Sequence, residues 1–347
     1  MKTRNTEAIA IGLVALAAII VPPLLPVGSM FFLTELLTGI LFAVAVNLLL
    51  GFTGLVSFGQ AAYYGIGAYA VAMLIRATST NLLVPAILFG AIVAAVAALI
   101  LGAIALRATG VAFSMLTLAF AQMFFLFALT QTHITGGENG IPGIIRSPGA
   151  LGFIDLSNPL FYYYFCLVII GASLAFLRLL VASPFGYALR IIREDPKRAE
   201  FLGIPVKRYQ LASFVFSGFF SGLAGGFFVF LVGLASSEML FWSKSGDPII
   251  MSLLGGLHTF WGPGIGAVIY LTLIKQISTM TTGWMAYVGV LLLFLVLVLP
   301  EGILGVPARI RLLRWRREHK TEAERLGITA TSSVEDSSTE VIGEVAR

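Results

Sequence analysis

Cysteine, histidine and charge are all scarce in this chain. Its 347 residues include one cysteine, Cys166, which excludes an internal disulfide, and three widely spread histidines, which offer no metal-ligand cluster. Only 11% of the residues are charged while 58% are apolar, far from the roughly 25% charge of soluble domains. A soluble enzyme is thereby excluded, and no catalytic or metal-binding residues are assigned. No G-x-x-x-x-G-K-[ST] phosphate loop occurs, so the chain does not bind ATP in that manner. Acidic groups and histidines are also missing from the middle of the long apolar runs, where a charge costs about 2.5 to 3.5 kcal/mol and persists for function. Glu35 lies near the outer end of its run, Lys275 near an end, and His258 at a break. Proton coupling therefore lacks its usual side chains, and strongly charged substrates lack a buried counter-charge.

What the chain has instead is apolar length. Predominantly apolar stretches at 8–26, 31–50, 55–75, 83–106, 110–130, 161–181, 210–233, 248–277 and 285–299, with at most one charged residue each, are long enough to approach or cross a hydrocarbon core of about 30 Å. The expected fold is all-α: a polytopic membrane protein with eight to ten membrane segments over residues 1–305, several of them broken or re-entrant. The run at 8–26 reads as a retained first span rather than a cleaved signal.

Charge placement sets the orientation. Residues 1–305 carry 14 basic and 10 acidic side chains, and nine of these 24 fall between Ser183 and Arg208. That segment is a water-facing loop. By the positive-inside rule it is cytoplasmic, together with the Lys2/Arg4 end and the basic collar that opens the 306–347 tail. Both termini are then cytoplasmic, and the Gly- and Pro-rich 131–160 loop lies outside. The Thr/Ser/Glu-rich remainder of the tail has little to bury and is expected to be disordered.

Two glycine-rich stretches interrupt the apolar pattern. GGLHTFWGPGIG (255–266) places Gly255, Gly256, Gly262 and Gly264 with Pro263 inside one run, which predicts two half-helices or a re-entrant hairpin. In GFTGLVSFGQAAYYGIGAY (51–69), Gly54 and Gly59 mark either close helix packing or a broken helix beside a solute path. Ser57, Gln60, Tyr64, Ser114, Thr117 and Gln122 are polar groups in apolar surroundings, facing either a neighbouring helix or the solute. Such a path suits a neutral or zwitterionic solute.

The charged loop has a helical pattern of its own. Tyr187, Ile191 and Ile192 recur at helical spacing, Pro196 can open a second short helix after Asp195, and Gly203 can close it. Two short amphipathic helices would form a knob whose apolar stripe, including Ala199, Phe201 and Leu202, marks a partner site.

These residues carry a resemblance. GYALRIIREDPKRAEFLGI resembles the coupling loop of ABC importer permeases, in which an alanine-containing turn and a following glycine dock into a groove of the ATPase. Ala199, Glu200 and Gly203 take those places, with Gly186, Arg190, Arg193 and Glu194 on the same element. Five motifs in order (GLVSFGQAAYYGIGAYA, GVAFSMLTLAFAQM, TGGENGIPGI, GGLHTFWGPGIGA, LPEGILG) resemble the branched-chain amino-acid permease family of LivM type over roughly 30–305. The family commonly has His at the place of Gln60, Gly at that of His258 and Arg at that of Glu301. The resemblance implies a multi-pass protein of a bacterial inner membrane that is not itself an enzyme and binds no cofactor. It further implies a second homologous permease, two ATP-binding subunits holding ATP and Mg, and an extracytoplasmic solute-binding protein, with a lipid bilayer and no nucleic acid as the remaining surroundings. The implied cargo is leucine, isoleucine, valine or a related neutral solute. Urea and short-amide permeases share the motifs, and a sodium-coupled carrier is the alternative outside this class. On this reading Arg190, Arg193 and Glu194 make rim contacts with the ATPase, and bulk at Ala199 or Gly203 lifts the knob from its groove.

Overall fold

The computed structural model describes residues 18–78, 83–146, 156–279, 287, 289–290 and 302–303. Most of the 8–26 and 285–299 runs, and the whole 306–347 tail, lie outside the described residues.

The protein is a polytopic all-α membrane protein. Helix α1 (Val27–Asn47) runs into a wider π-helical turn, Leu48–Thr53, which Gly54 ends with a left-handed φ of 77°. After a non-helical link follow α2 (Gln60–Thr78), α3 (Leu83–Ala105), α4 (Val111–Thr130) and α5 (Pro159–Ala182). Two short helices, α6 (Pro184–Glu194) and α7 (Pro196–Phe201), lead into α8 (Val206–Val232). The described order closes with α9 (Ser243–Gly255) and α10 (Gly262–Ser278). A two-residue pairing of Ile141 with Ala235 and of Pro142 with Leu234 ties the 131–146 loop to the end of α8.

Five of these helices are long and apolar enough to cross a membrane: Gly28–Thr53, α3, α4, α5 and α8. Each reaches about 30 Å or more at 1.5 Å per residue. The expectation of eight to ten segments therefore meets five such helices among the described residues. The expected crossing at 55–75 begins instead at Gln60, because 54–59 is non-helical. The run at 248–277 is two helices of 13 and 17 residues, about 20 and 26 Å long and each shorter than the hydrocarbon core.

Helix α2 is too rich in Gly, Tyr and Ala to match the five in apolarity, yet it is buried along most of its length. Small residues explain how. A Cβ on Gly67 would overlap the Gly222 backbone of α8, and one on Gly90 of α3 would lie 2.6 Å from the Gly67 carbonyl. Three helices thus meet backbone to backbone, gaining dispersion contacts that a side chain would prevent. Outward faces on α3 and α5, such as Ile92, Val96, Ile100, Val168 and Leu179, stay exposed and apolar, as lipid contact requires.

Candidate functional site

The charged segment folds into the knob its spacing predicts. Pro184 starts α6, and the Asp195 carboxylate accepts hydrogen bonds from the Lys197 and Arg198 amides at 2.9 and 3.2 Å, capping α7 with Pro196 in its first turn. Gly203 ends α7 with φ 79°. Inside the knob, Ile192, Ala199 and Val206 pack together and are buried. Outside it, Phe201 is 92% exposed and Leu202 66% exposed, and Tyr187, Glu194 and Glu200 also face outward. This revises the reading of Ala199. Its methyl is fully buried against α6 and α8 residues, so added bulk would push the knob apart from within rather than lift it from a partner. Gly203 has no atom within 4 Å of an added Cβ, so its constraint is conformational.

The knob is fastened to both helix breaks. Gly186 lies so close to the Val181 carbonyl that no side chain fits, which fixes the turn from α5 into α6. Arg190 stacks over Phe52 and Tyr187 at 5.5 and 5.3 Å. Arg193 turns inward rather than to a rim: its Nη1 donates to the Gly51 carbonyl at 2.5 Å and to His258 Nδ1 at 3.0 Å. Its Cγ leaves room at Gly54 for a glycine alone. The two breaks also touch each other. A Cβ on Gly51 would overlap the Leu257 carbonyl, and Asn47 Nδ2 donates to the Thr259 carbonyl at 3.4 Å. Between α9 and α10, Gly255 and Gly266 crowd the Gly262 and Met251 backbones. Gly256 holds φ 121°, and Gly264 sits against Ile40 at 3.4 Å.

Most of the polar residues expected to face a neighbour or a solute gather around the non-helical link 54–59. Ser114 Oγ donates to the Val56 carbonyl at 2.6 Å, and Thr117 Oγ1 accepts from the Phe58 amide at 3.2 Å. Ser57 Oγ accepts from the Gly59 amide and from Gln60 Nε2. Gln60 is fully buried, and its Oε1 accepts from Ser217 at 3.1 Å and Ser221 at 3.5 Å. Gly59 has the Thr117 carbonyl 2.6 Å from a would-be Cβ. Tyr64 is buried between Phe42 and Phe228. Gln122 stands apart on α4, its buried Oε1 without a hydrogen-bond partner. In this conformation these groups mostly satisfy the backbone of a broken helix and one another.

Several partners in this network escaped the sequence reading. Ser213, Ser217, Ser221 and Ser245 are buried, with Ser213 bonded to Thr53 and Ser245 accepting from the Ala61 amide at 2.8 Å. The spacing of four between Ser213, Ser217 and Ser221 along α8 was the available signal. A second polar group joins Lys244 to Asp247 at 2.8 Å and Asp247 to Tyr270 at 2.8 Å.

Comparison with known proteins places this architecture. The model of the family described as "Branched-chain amino acid transport system / permease component" matches residues 29–300. The chain is 28% identical over 298 residues to the high-affinity branched-chain amino acid transport system permease protein LivM of Salmonella typhimurium, covering 80% of this chain and 70% of that one. It is 27% identical over 300 residues to the corresponding LivH of Escherichia coli, covering 80% and 97%. It is 28% identical over 178 residues to the guanosine ABC transporter permease protein NupQ of Bacillus subtilis, covering 49% and 53%. No solved structure is significantly similar. With the match extending through all five membrane-length helices, both breaks and the knob between α5 and α8, the chain belongs to the family of permease components of branched-chain amino acid transport systems.

Proposed function

We propose that this chain is one membrane subunit of an ATP-driven importer that carries a branched-chain amino acid, or a related small neutral solute, into the cytoplasm. Hydrolysis takes place on two partner ATPases, a second homologous permease completes the path, and an extracytoplasmic binding protein delivers the cargo. Permeases of this family do not themselves hydrolyse ATP. Residues 1–305 form the permease, with 183–208 on the cytoplasmic side. The observation that carries this reading is the knob. It is a compact pair of helices with its own core, an apolar tip at Phe201 and Leu202, and direct bonds to both helix breaks. A solvated loop needs none of these, and an uncovered apolar tip marks a partner surface. ATP-driven closure of the partners would move the knob, and the breaks would follow.

Import of a different uncharged solute, a nucleoside or a short amide, is the second reading, favoured by the likeness to the guanosine permease. Sodium coupling is disfavoured, because the guanidinium of Arg193 already sits on the Gly51 carbonyl at the first break, where a bound cation would need free oxygens. The test is uptake of labelled leucine by proteoliposomes holding the chain with its co-expressed partners. ATP depletion should abolish accumulation, and collapse of the sodium gradient should leave it intact; the opposite pattern overturns the importer reading. Competition by isoleucine, valine, guanosine and urea assigns the solute.

A further inference from the structure

The knob touches the bundle through many side chains, but one of them reaches both helix breaks at once. Gly51 is among the last four residues of the α1 run that ends at Thr53, so its carbonyl has no partner further along the helix and carries part of the negative end of the helix dipole. Arg193 supplies that partner at 2.5 Å. The same Nη1 lies 3.0 Å from His258 Nδ1. Arginine has donors and no acceptor, so a hydrogen bond in this geometry takes Nδ1 as its acceptor. The strap therefore tolerates a neutral acceptor at position 258 and rejects a cation. The surrounding glycines make room for this contact: Gly54 leaves space for the Arg193 stem, and Gly51 packs on the Leu257 carbonyl so that the two breaks touch.

Building on the importer reading, we propose that Arg193 is a positioning residue that transmits movement of the knob to both helix breaks, not a contact to the ATPase. An always-charged, planar guanidinium suits this role because the two hydrogens of its Nη1 point in fixed directions toward two acceptors. Arg190, by contrast, stacks on Phe52 and Tyr187 and bridges no second break.

The test uses the assembled complex in proteoliposomes, with ATP hydrolysis and solute uptake read on the same sample. In Arg193→Ala the ATPase should stay bound and hydrolysing while uptake falls roughly tenfold, the scale of one lost charge-assisted hydrogen bond. Arg193→Lys, which keeps a charged donor but not the fixed plane of the guanidinium, should recover part of the uptake. Position 258 supplies a second route that does not depend on the arginine variant folding. His258→Gln, with an amide oxygen as acceptor, should transport like the parent, and His258→Lys should reproduce the uncoupling of Arg193→Ala. Loss of the ATPase from the Arg193→Ala complex, or identical behaviour of the Gln and Lys variants at 258, overturns the proposal. Absence of ATP-driven uptake in the unaltered complex would instead overturn the importer reading on which it rests.

Discussion

Gly225 of α8 lies against the Tyr64 carbonyl so closely that a single added methyl would overlap it. Overpacking of this kind costs about 1 to 3 kcal/mol, so Gly225→Ala should lower the thermal stability of the detergent-solubilised protein. Gly171→Ala in α5, where an added Cβ meets nothing within 4 Å, is the control and should be neutral or slightly stabilising. Gln60 tests a different term. Its amide oxygen holds two α8 serines, and hydrogen bonds between membrane helices average about 0.6 kcal/mol with a maximum near 1.7. Gln60→Leu should therefore reduce stability by an amount of that order and leave solute selectivity unchanged; a change in the competition profile would assign Gln60 to the solute path. That this residue is polar and embedded was legible in the sequence. Which way it points was not, because its α8 partners Ser217 and Ser221 are more than 150 positions away and helical spacing fixes a face only relative to its own helix.

At the scale of elements, the knob was readable almost to the residue. Asp195, Pro196 and Gly203 are local signals: a cap, a helix start and a left-handed stop each act within four residues of themselves. Asp195→Ala should cost about 1 kcal/mol, seen as faster hydrogen exchange of the Lys197 and Arg198 amides. Gly203 distinguishes shape from bulk. With φ 79° and open space around it, Gly203→Asn should retain uptake, whereas Gly203→Val should lose it, since a β-branched residue is strained there by about 1 to 2 kcal/mol. If both fail alike, bulk rather than backbone conformation is what the site excludes. The breaks in the third and eighth apolar runs were likewise announced by glycine and proline. Their contact with each other was not, because a Gly51 to Leu257 approach depends on how α1, α9 and α10 pack.

For the whole molecule, the proposed importer role implies a mechanical chain from an exposed tip to two interrupted helices. Replacing Phe201 and Leu202 together by serine should release the ATPase on purification while insertion in the membrane is unaffected, since both side chains face outward and contribute little to the core. Retention of the ATPase by that double variant would place the docking surface elsewhere. Labelling of Lys197 from the cytoplasmic face of sealed vesicles checks the orientation on which the scheme depends; labelling from the outer face alone would overturn it.

The sequence by itself determined that this is an all-helical membrane protein, and that the most charged segment of residues 1–305 is a knob of two short helices whose starts and stops are locally encoded. All of these follow from hydrophobic length and from capping chemistry, which act over a few neighbouring residues. The tertiary structure decided that Ala199 is interior, that Gln60 and its serines close on one another, and that Arg193 faces the helix breaks instead of a rim. Those outcomes depend on distances between segments far apart in the chain, and such distances are set by how closely glycine-rich helices can approach.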